Sequence, residues 1–149
     1  MVKPKRQELA IVIISGATGR TATQVVESAL AQFDDPNVQL ITKTNVRSAK
    51  SATKTVHKLA GRRAVICHSL VTPEARDAVI KEARRQDIPT VDILGPVVAM
   101  LSDHLGTQPH REPGLSYKHQ KEALQARAQG QGRERCEICE EQCAERSYV

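Results

Sequence analysis

The sequence predicts an α/β fold: an open, mostly parallel sheet of about four strands with flanking helices. Three observations carry this. Ile11-Val-Ile-Ile14 is a continuous aliphatic run, the pattern of a strand covered on both faces. Short apolar runs then alternate with stretches of ten or so residues at helical spacing, the order of βαβ units joined by right-handed crossovers. Aromatic residues make up only 2 % of the 149, so the core must be built from Val, Ile, Leu and Ala, which suits buried strands under helices.

Residues 1–8 are a basic lead-in. The α/β domain is expected over 9–106, a proline-rich arm with a helix over 107–129, and a charged Cys-containing tail over 130–149. The first strand covers about Leu9 to Ser15. Ser15 to Arg20 is a polar turn with two glycines, and a helix follows from Thr21 to Gln32 with Val25, Val26, Ala29, Leu30 and Phe33 as its apolar stripe. Val38 to Thr42 is the second strand, and Ser48 to Leu59 a Lys- and Ala-rich helix that Gly61 ends. Ala64 to His68 is the third strand. Thr72-Pro73-Glu74 opens the next helix, with Thr at the N-cap and Pro in the first turn, and Ala75, Val79, Ile80 and Ala83 as its stripe. Thr90 to Leu94 is a short fourth strand. Gly95-Pro96 begins a helix whose apolar face is Val97, Val98, Leu101 and Leu105, stopping at Gly106. The prolines between Thr107 and Tyr117 make that stretch an extended arm over the surface, and Lys118 to Gln129 has helical character.

The net charge of +5 is uneven: residues 1–120 hold 17 Lys and Arg against 11 Asp and Glu, residues 121–149 hold 5 against 6. The basic excess belongs to the globular part and suits phosphate-bearing ligands or an acidic partner. Without stacking aromatics, single-stranded nucleic acid is poorly supported. No apolar run approaches the roughly 20 residues that span a bilayer, and the start lacks the apolar segment of a secretory signal. A cytoplasmic protein is expected.

Ligands of open parallel sheets lie at the carboxyl ends of the strands. That edge gathers Ser15 to Thr21, Lys43 to Arg47, His68-Ser69 and Asp92 to Pro96. The first of these stretches joins a strand to a helix amino terminus, where unpaired N–H groups and the helix dipole favour an anion. Candidate ligand-binding residues are therefore Ser15, Gly16, Thr18, Gly19, Arg20, Thr21, His68, Ser69, Asp92 and Gly95. His68 could serve a phosphate or proton transfer, or simply bond to backbone. Asp92 could hold a ligand, or cap the following helix. Cys67 reads as a small buried apolar residue.

Gly16-Ala-Thr-Gly19 after a buried strand also looks like the opening of atypical short-chain dehydrogenases. Against an NAD(P)-binding reductase, Ala22 replaces the third glycine, and the second strand ends in Lys43 rather than a ribose-binding acid; Lys43 or Arg47 could serve a 2′-phosphate. A Gly-x-x-x-x-Gly-Lys-Thr loop is absent. A ligand-free interaction module would keep the same fold. Cys136, Cys139 and Cys143 form Cys-x-x-Cys-x-x-x-Cys, which could bind zinc with His119 or a second chain as fourth ligand, form a self-association seam, act as redox-sensitive thiols, or lie in a disordered charged tail.

A more specific resemblance rests on several motifs in order. Ser15 to Ala22 lies over a Ser-Asp-Ser-Thr-Gly-Glu-Thr-Ala pattern, Val65 to Glu74 over a third strand and Pro-Glu helix start, and Asp92-Ile-Leu-Gly95-Pro96 over Asp-Leu-Leu-Gly-Pro. Leu105-Gly-Thr-Gln-Pro109-His-Arg-Glu-Pro113-Gly114 matches a Leu-Gly-x-x-Pro-x-x-x-Pro-Gly arm. Over Ile11 to Tyr117 the chain resembles the amino-terminal half of the kinase-pyrophosphorylase regulators of pyruvate, phosphate dikinase or phosphoenolpyruvate synthase. The resemblance implies a family that phosphorylates a dikinase threonine with ADP and removes the phosphate with inorganic phosphate, using a nucleotide loop in its carboxyl-terminal half. That loop is not in this sequence, and Gly16 and Arg20 stand where the family has acids. The implied role is regulatory: binding ADP, AMP or phosphate, or the dikinase itself, beside a separately encoded catalytic half, with a homo-oligomer as a further option and no catalytic residue in this chain.

Overall fold

The computed structural model describes residues 8–34 and 36–128. The chain divides into two compact units, Met1–Gly114 and Leu115–Val149. The first is an α/β unit of β1 (Leu9–Ser15), α1 (Arg20–Leu30), β2 (Val38–Lys43), α2 (Ala49–His57), β3 (Ala64–Ser69), α3 (Pro73–Arg85), β4 (Thr90–Asp92) and α4 (Gly95–Leu105). The second holds α5 (Leu115–Ala128). The four strands form one parallel sheet in the order β2-β1-β3-β4.

The aliphatic run makes β1 an inner strand. Val12, Ile13 and Ile14 have no exposed surface, and alternation sends them to different layers. Val12 and Ile14 join Ala64-side residues of β3 with Val56 of α2 and Ala75, Val79 and Ala83 of α3. Ile11 and Ile13 pack with Ala22 and Val26 of α1. Thus α1 covers one face and α2 and α3 the other, because the chain reverses its direction across the sheet after β2.

Several helix ends follow from single residues. Gly19 caps α1 in the left-handed region (φ 78°), where a side chain would also meet the Thr42 methyl at 2.9 Å. Ser48 and Ser51 form a reciprocal capping box on α2. Thr72 stands at the N-cap of α3 with Pro73 behind it, as expected, but its hydroxyl makes no capping bond.

The structure corrects the expected helix stripes. On α1, Ala22 and Val26 are buried whereas Val25 is exposed, since α1 rests on the sheet along one narrow line, and Phe33 lies exposed beyond the end of the helix. The α4 stripe joins no core: no residue of α4 is fully buried, and only Val98 of the expected stripe is half-buried. The fourth strand is three residues rather than five: Asp92 is its last ladder residue, and the chain turns after it as the Asp92 side chain accepts from the Leu94 and Gly95 amides. Cys67 is half-buried, and burial raises its thiol pKa. The helix expected from Lys118 begins at Leu115. Cys136, Cys139 and Cys143 lie outside the described residues, as does the lead-in through Gln7.

Truncating Ile14 to Ala removes a side chain with no exposed surface between two layers and should cost about 3 kcal/mol in urea unfolding. Phe33→Ala, at an exposed position, should stay within about 0.5 kcal/mol of the parent.

Candidate functional site

Because β1 lies between β2 and β3, the connections leaving β1 and β3 part toward opposite faces of the sheet. The crevice between their carboxyl ends is the topological switch point, where open α/β sheets place ligands. Ser15 and Ser69 are register partners at its floor. The strand order also bears on the reductase reading. A dinucleotide fold of the classic order has β3 beyond β2, whereas here β3 flanks β1, the order of flavodoxin-like sheets.

The turn leaving β1 is closed on itself. Ser15 is buried, and its hydroxyl oxygen accepts from the Ala17 amide at 3.2 Å. The next connection, after β2, clamps the same turn: the Val46 amide donates to the Ser15 carbonyl (2.9 Å) and the Asn45 amide to the Ala17 carbonyl (3.1 Å). Arg47 Nε donates to the Gly16 carbonyl at 2.9 Å, and its Nη2 reaches Asn45 Oδ1 at 3.5 Å. Asn45 makes this approach with a left-handed backbone, φ 56°, which asparagine tolerates better than most residues. Pro113 of the arm lies over Gly16, so close that a Cβ there would meet it at 3.2 Å. What stays open is the helix end. Thr18, Arg20 and Thr21 are exposed, and α1 has neither a capping side chain nor an acid in its first turn.

On the other side of the crevice, His68 and Ser69 do not act together. Alternation puts them on opposite faces of β3. His68 turns toward the α2 and α3 layer, has no exposed surface, and neither ring nitrogen has a hydrogen-bond partner. Its Nδ1 lies 3.9 Å from Asp92 Oδ1, beyond hydrogen-bond distance. Burial lowers its pKa; Asp92 works against that shift, and Arg76 in the first turns of α3 adds to it. The Thr72 hydroxyl, at the amino end of α3, is likewise buried with no partner. Unpartnered polar atoms at a helix amino end leave room for a bound water or an anionic oxygen.

Asp92 is a cap. Its Oδ1 accepts from the Leu94 and Gly95 amides at 3.1 and 2.8 Å, and a Cβ on Gly95 would overlap the Asp92 carboxylate. The Asp-x-x-Gly-Pro motif is thereby accounted for locally: the acid needs amides three residues on, glycine lets it come close, and Pro96 starts the helix without a missing donor. Sequence reading singled out neither Thr72 nor Arg76 as site residues, and gave Arg47 only a cofactor role. The signal for Arg47 was the Asn45-Val-Arg47-Ser48 stretch, whose asparagine marks a turn.

Two further features lie elsewhere. A shallow groove of about 400 Å³ on α3 is lined by Asp77, Ile80, Lys81, Arg84 and Arg85; α3 runs back from the carboxyl edge, so its last turn is far from the crevice. On the same helix, Glu82 is buried, and its pKa is lowered chiefly by a hydrogen bond from Gln86, with His57 and Arg85 assisting. Among the described residues no group of three or more His, Cys, Asp or Glu could hold a metal ion, and no helix is long and apolar enough to cross a membrane.

Two measurements check this geometry. Asp92→Ala should lose about 1 kcal/mol of stability while Asp92→Asn, which still accepts from the amides, keeps most of it. The folded pKa of His68 lies below its ordinary 6.5, so below pH 6.5 the unfolded chain binds more protons than the folded one. Stability from this source is complete above pH 6.5 and falls with pH, and His68→Leu should flatten the decline seen between pH 7 and 5.5 in urea midpoints. Glu82, with its pKa below 4.5, adds its own loss only in more acid solution.

Comparison with known proteins completes the picture. The profile of the kinase/pyrophosphorylase family matches residues 11–129. A pyruvate, phosphate dikinase regulatory protein from Shouchella clausii is 35 % identical over 112 residues, which are 75 % of this chain and 41 % of that protein. Similarly named proteins from Syntrophomonas wolfei and Geotalea daltonii are each 32 % identical over 108 residues, 72 % of this chain and 40 % of theirs. The chain thus spans about two fifths of the length of the curated relatives it matches.

Proposed function

The chain belongs to the kinase/pyrophosphorylase family, and from that premise we propose that this part of the family fold binds a phosphate-bearing ligand in the crevice between β1 and β3 and serves the regulation of pyruvate, phosphate dikinase in the cytoplasm. The observation that carries the ligand reading is the pair of helix amino ends flanking that crevice, α1 and α3, neither of them capped by a side chain. Their free N–H groups and dipoles favour negative charge. Arg20 and Arg47 add cationic groups on the α1 side, where Gly16 and Arg20 carry no acid to repel an anion.

The division of roles follows from which atoms are already used. The carbonyls of the β1–α1 turn accept from Arg47 Nε and from the Asn45 and Val46 amides, so the turn positions Arg47 and leaves the α1 amino end to meet the anion. The α3 end carries the Thr72 hydroxyl and, beside it at the end of β3, the neutral His68 ring, whose buried atoms have no hydrogen-bond partner and would gain one from a phosphate oxygen that reached them. No group in the crevice is set up to attack or transfer a phosphoryl group. Asp92, the nearest carboxylate to His68, already accepts two backbone amides. Binding rather than catalysis is the activity that this arrangement supports, with inorganic phosphate, ADP or AMP as the ligand class. The dikinase as target comes from the names that the relatives carry.

Calorimetric titration with inorganic phosphate, ADP, AMP and NADPH tests the reading. Phosphate or a nucleotide should bind, Arg20→Glu should abolish the response, and Thr72→Val should weaken it roughly 10–100-fold, the loss of one hydrogen bond to a charged group. Binding of NADPH alone, or no binding by any of the four, would overturn it.

A further inference from the structure

We propose that the exposed apolar stripe of α4 is a docking face for the portion of the family fold that lies outside the stretch matched here, and that the chain binds that portion when it is supplied as a separate polypeptide. The helix is unusual for what it leaves in water. Of its 11 residues none is buried, yet Val97, Met100, Leu101 and Leu105 are all large, apolar and about half exposed or more. Their spacing, i, i+3, i+4 and i+8, gathers them on one side of the helix. Next to α4 in the chain, Val91 of the short edge strand β4 is 51 % exposed as well.

The α/β unit does not need this stripe. Its two faces are closed by α1 and by α2 with α3, each of which buries residues in a core cluster. An isolated helix of this length is marginal in water and draws its stability from packing an apolar side, so α4 is built for a surface that lies outside the unit.

The comparisons point to the occupant. Residues 95–105 fall within the family match, so relatives share the segment that forms α4, while more than half of each of those relatives lies outside the matched stretch. A family fold that carries α4 together with so much additional chain has a domain available to cover it. A second copy of this chain fits less well. The stripe from Val97 to Leu105 is only about 12 Å long, too little for the roughly 800 Å² per partner of a stable interface unless neighbouring surface joins in. Two copies also bring together like net charges of +5. This inference rests on the apolar surface and on relative lengths; it is independent of any ligand in the crevice.

The test uses the full chain and the Shouchella clausii relative. In hydrogen exchange, the segment of the intact relative that aligns with 95–105 should exchange at least tenfold more slowly than α4 of this chain, and equal rates would overturn the proposal. The portion of the relative outside the match, expressed separately, should form a 1:1 complex with the full chain in sedimentation. Met100→Asp and Leu101→Asp, at positions about half exposed and outside both core clusters, should abolish the complex and leave the circular dichroism of the chain unchanged. A chain that is by itself a dimer and is dispersed by Leu101→Asp assigns the face to a second copy and overturns the proposal. Should the excised portion fail to fold, the exchange comparison on the intact relative still decides.

Discussion

β1 has no side turned to water. Every residue from Ala10 to Ser15 is buried, and the strand pairs with β2 on one edge and β3 on the other. Both helical layers therefore pack against the same few aliphatic side chains, Val12 and Ile14 on one face, Ile11 and Ile13 on the other. A strand so enclosed must satisfy all its backbone groups in the ladder, and it fixes where the chain leaves the sheet. The turn after Ser15 emerges at the centre of the carboxyl edge, between two connections that diverge to opposite faces. The crevice exists because β1 is central.

The clamp on that turn has two consequences. Three donors from residues 45–47 occupy its carbonyls, and Pro113 lies over Gly16, so the loop that looks most like a ligand cradle is a rigid, internally satisfied element. Its contribution is positional: it holds the amino end of α1 and the Arg47 guanidinium at the crevice. At this edge the buried polar atoms left without partners are instead those of His68, near the end of β3, and Thr72, at the start of α3. An unpartnered buried polar atom costs on the order of 1–3 kcal/mol, which makes these atoms the places where a water or ligand oxygen has most to gain.

The unit also shows how an element can be present without being packed. α4 has a cap, a proline start and a left-handed glycine stop at Gly106, φ 63°, so local sequence is sufficient to define its ends. It has no partner surface among the described residues of the unit.

The sequence alone determined the class of the fold, the order of its elements and the family resemblance. Those depend on local properties: the aliphatic run Ile11–Ile14, turn chemistry at Gly19 and Gly61, a Thr-Pro-Glu helix start, and motifs at fixed separations. It also placed the candidate residues on one edge, since strand polarity in a parallel sheet follows from the βα order. Tertiary structure decided the rest. Strand order is a long-range choice, and only it shows that the switch point falls between β1 and β3. The opposite orientation of His68 and Ser69 depends on which layer packs on which face, and the capping role of Asp92 on the distance from a carboxylate to two amides. The exposure of Phe33 and of the α4 stripe has the same origin: periodicity reveals that a helix has an apolar side, but burial requires a second surface, and its presence is a property of the whole fold.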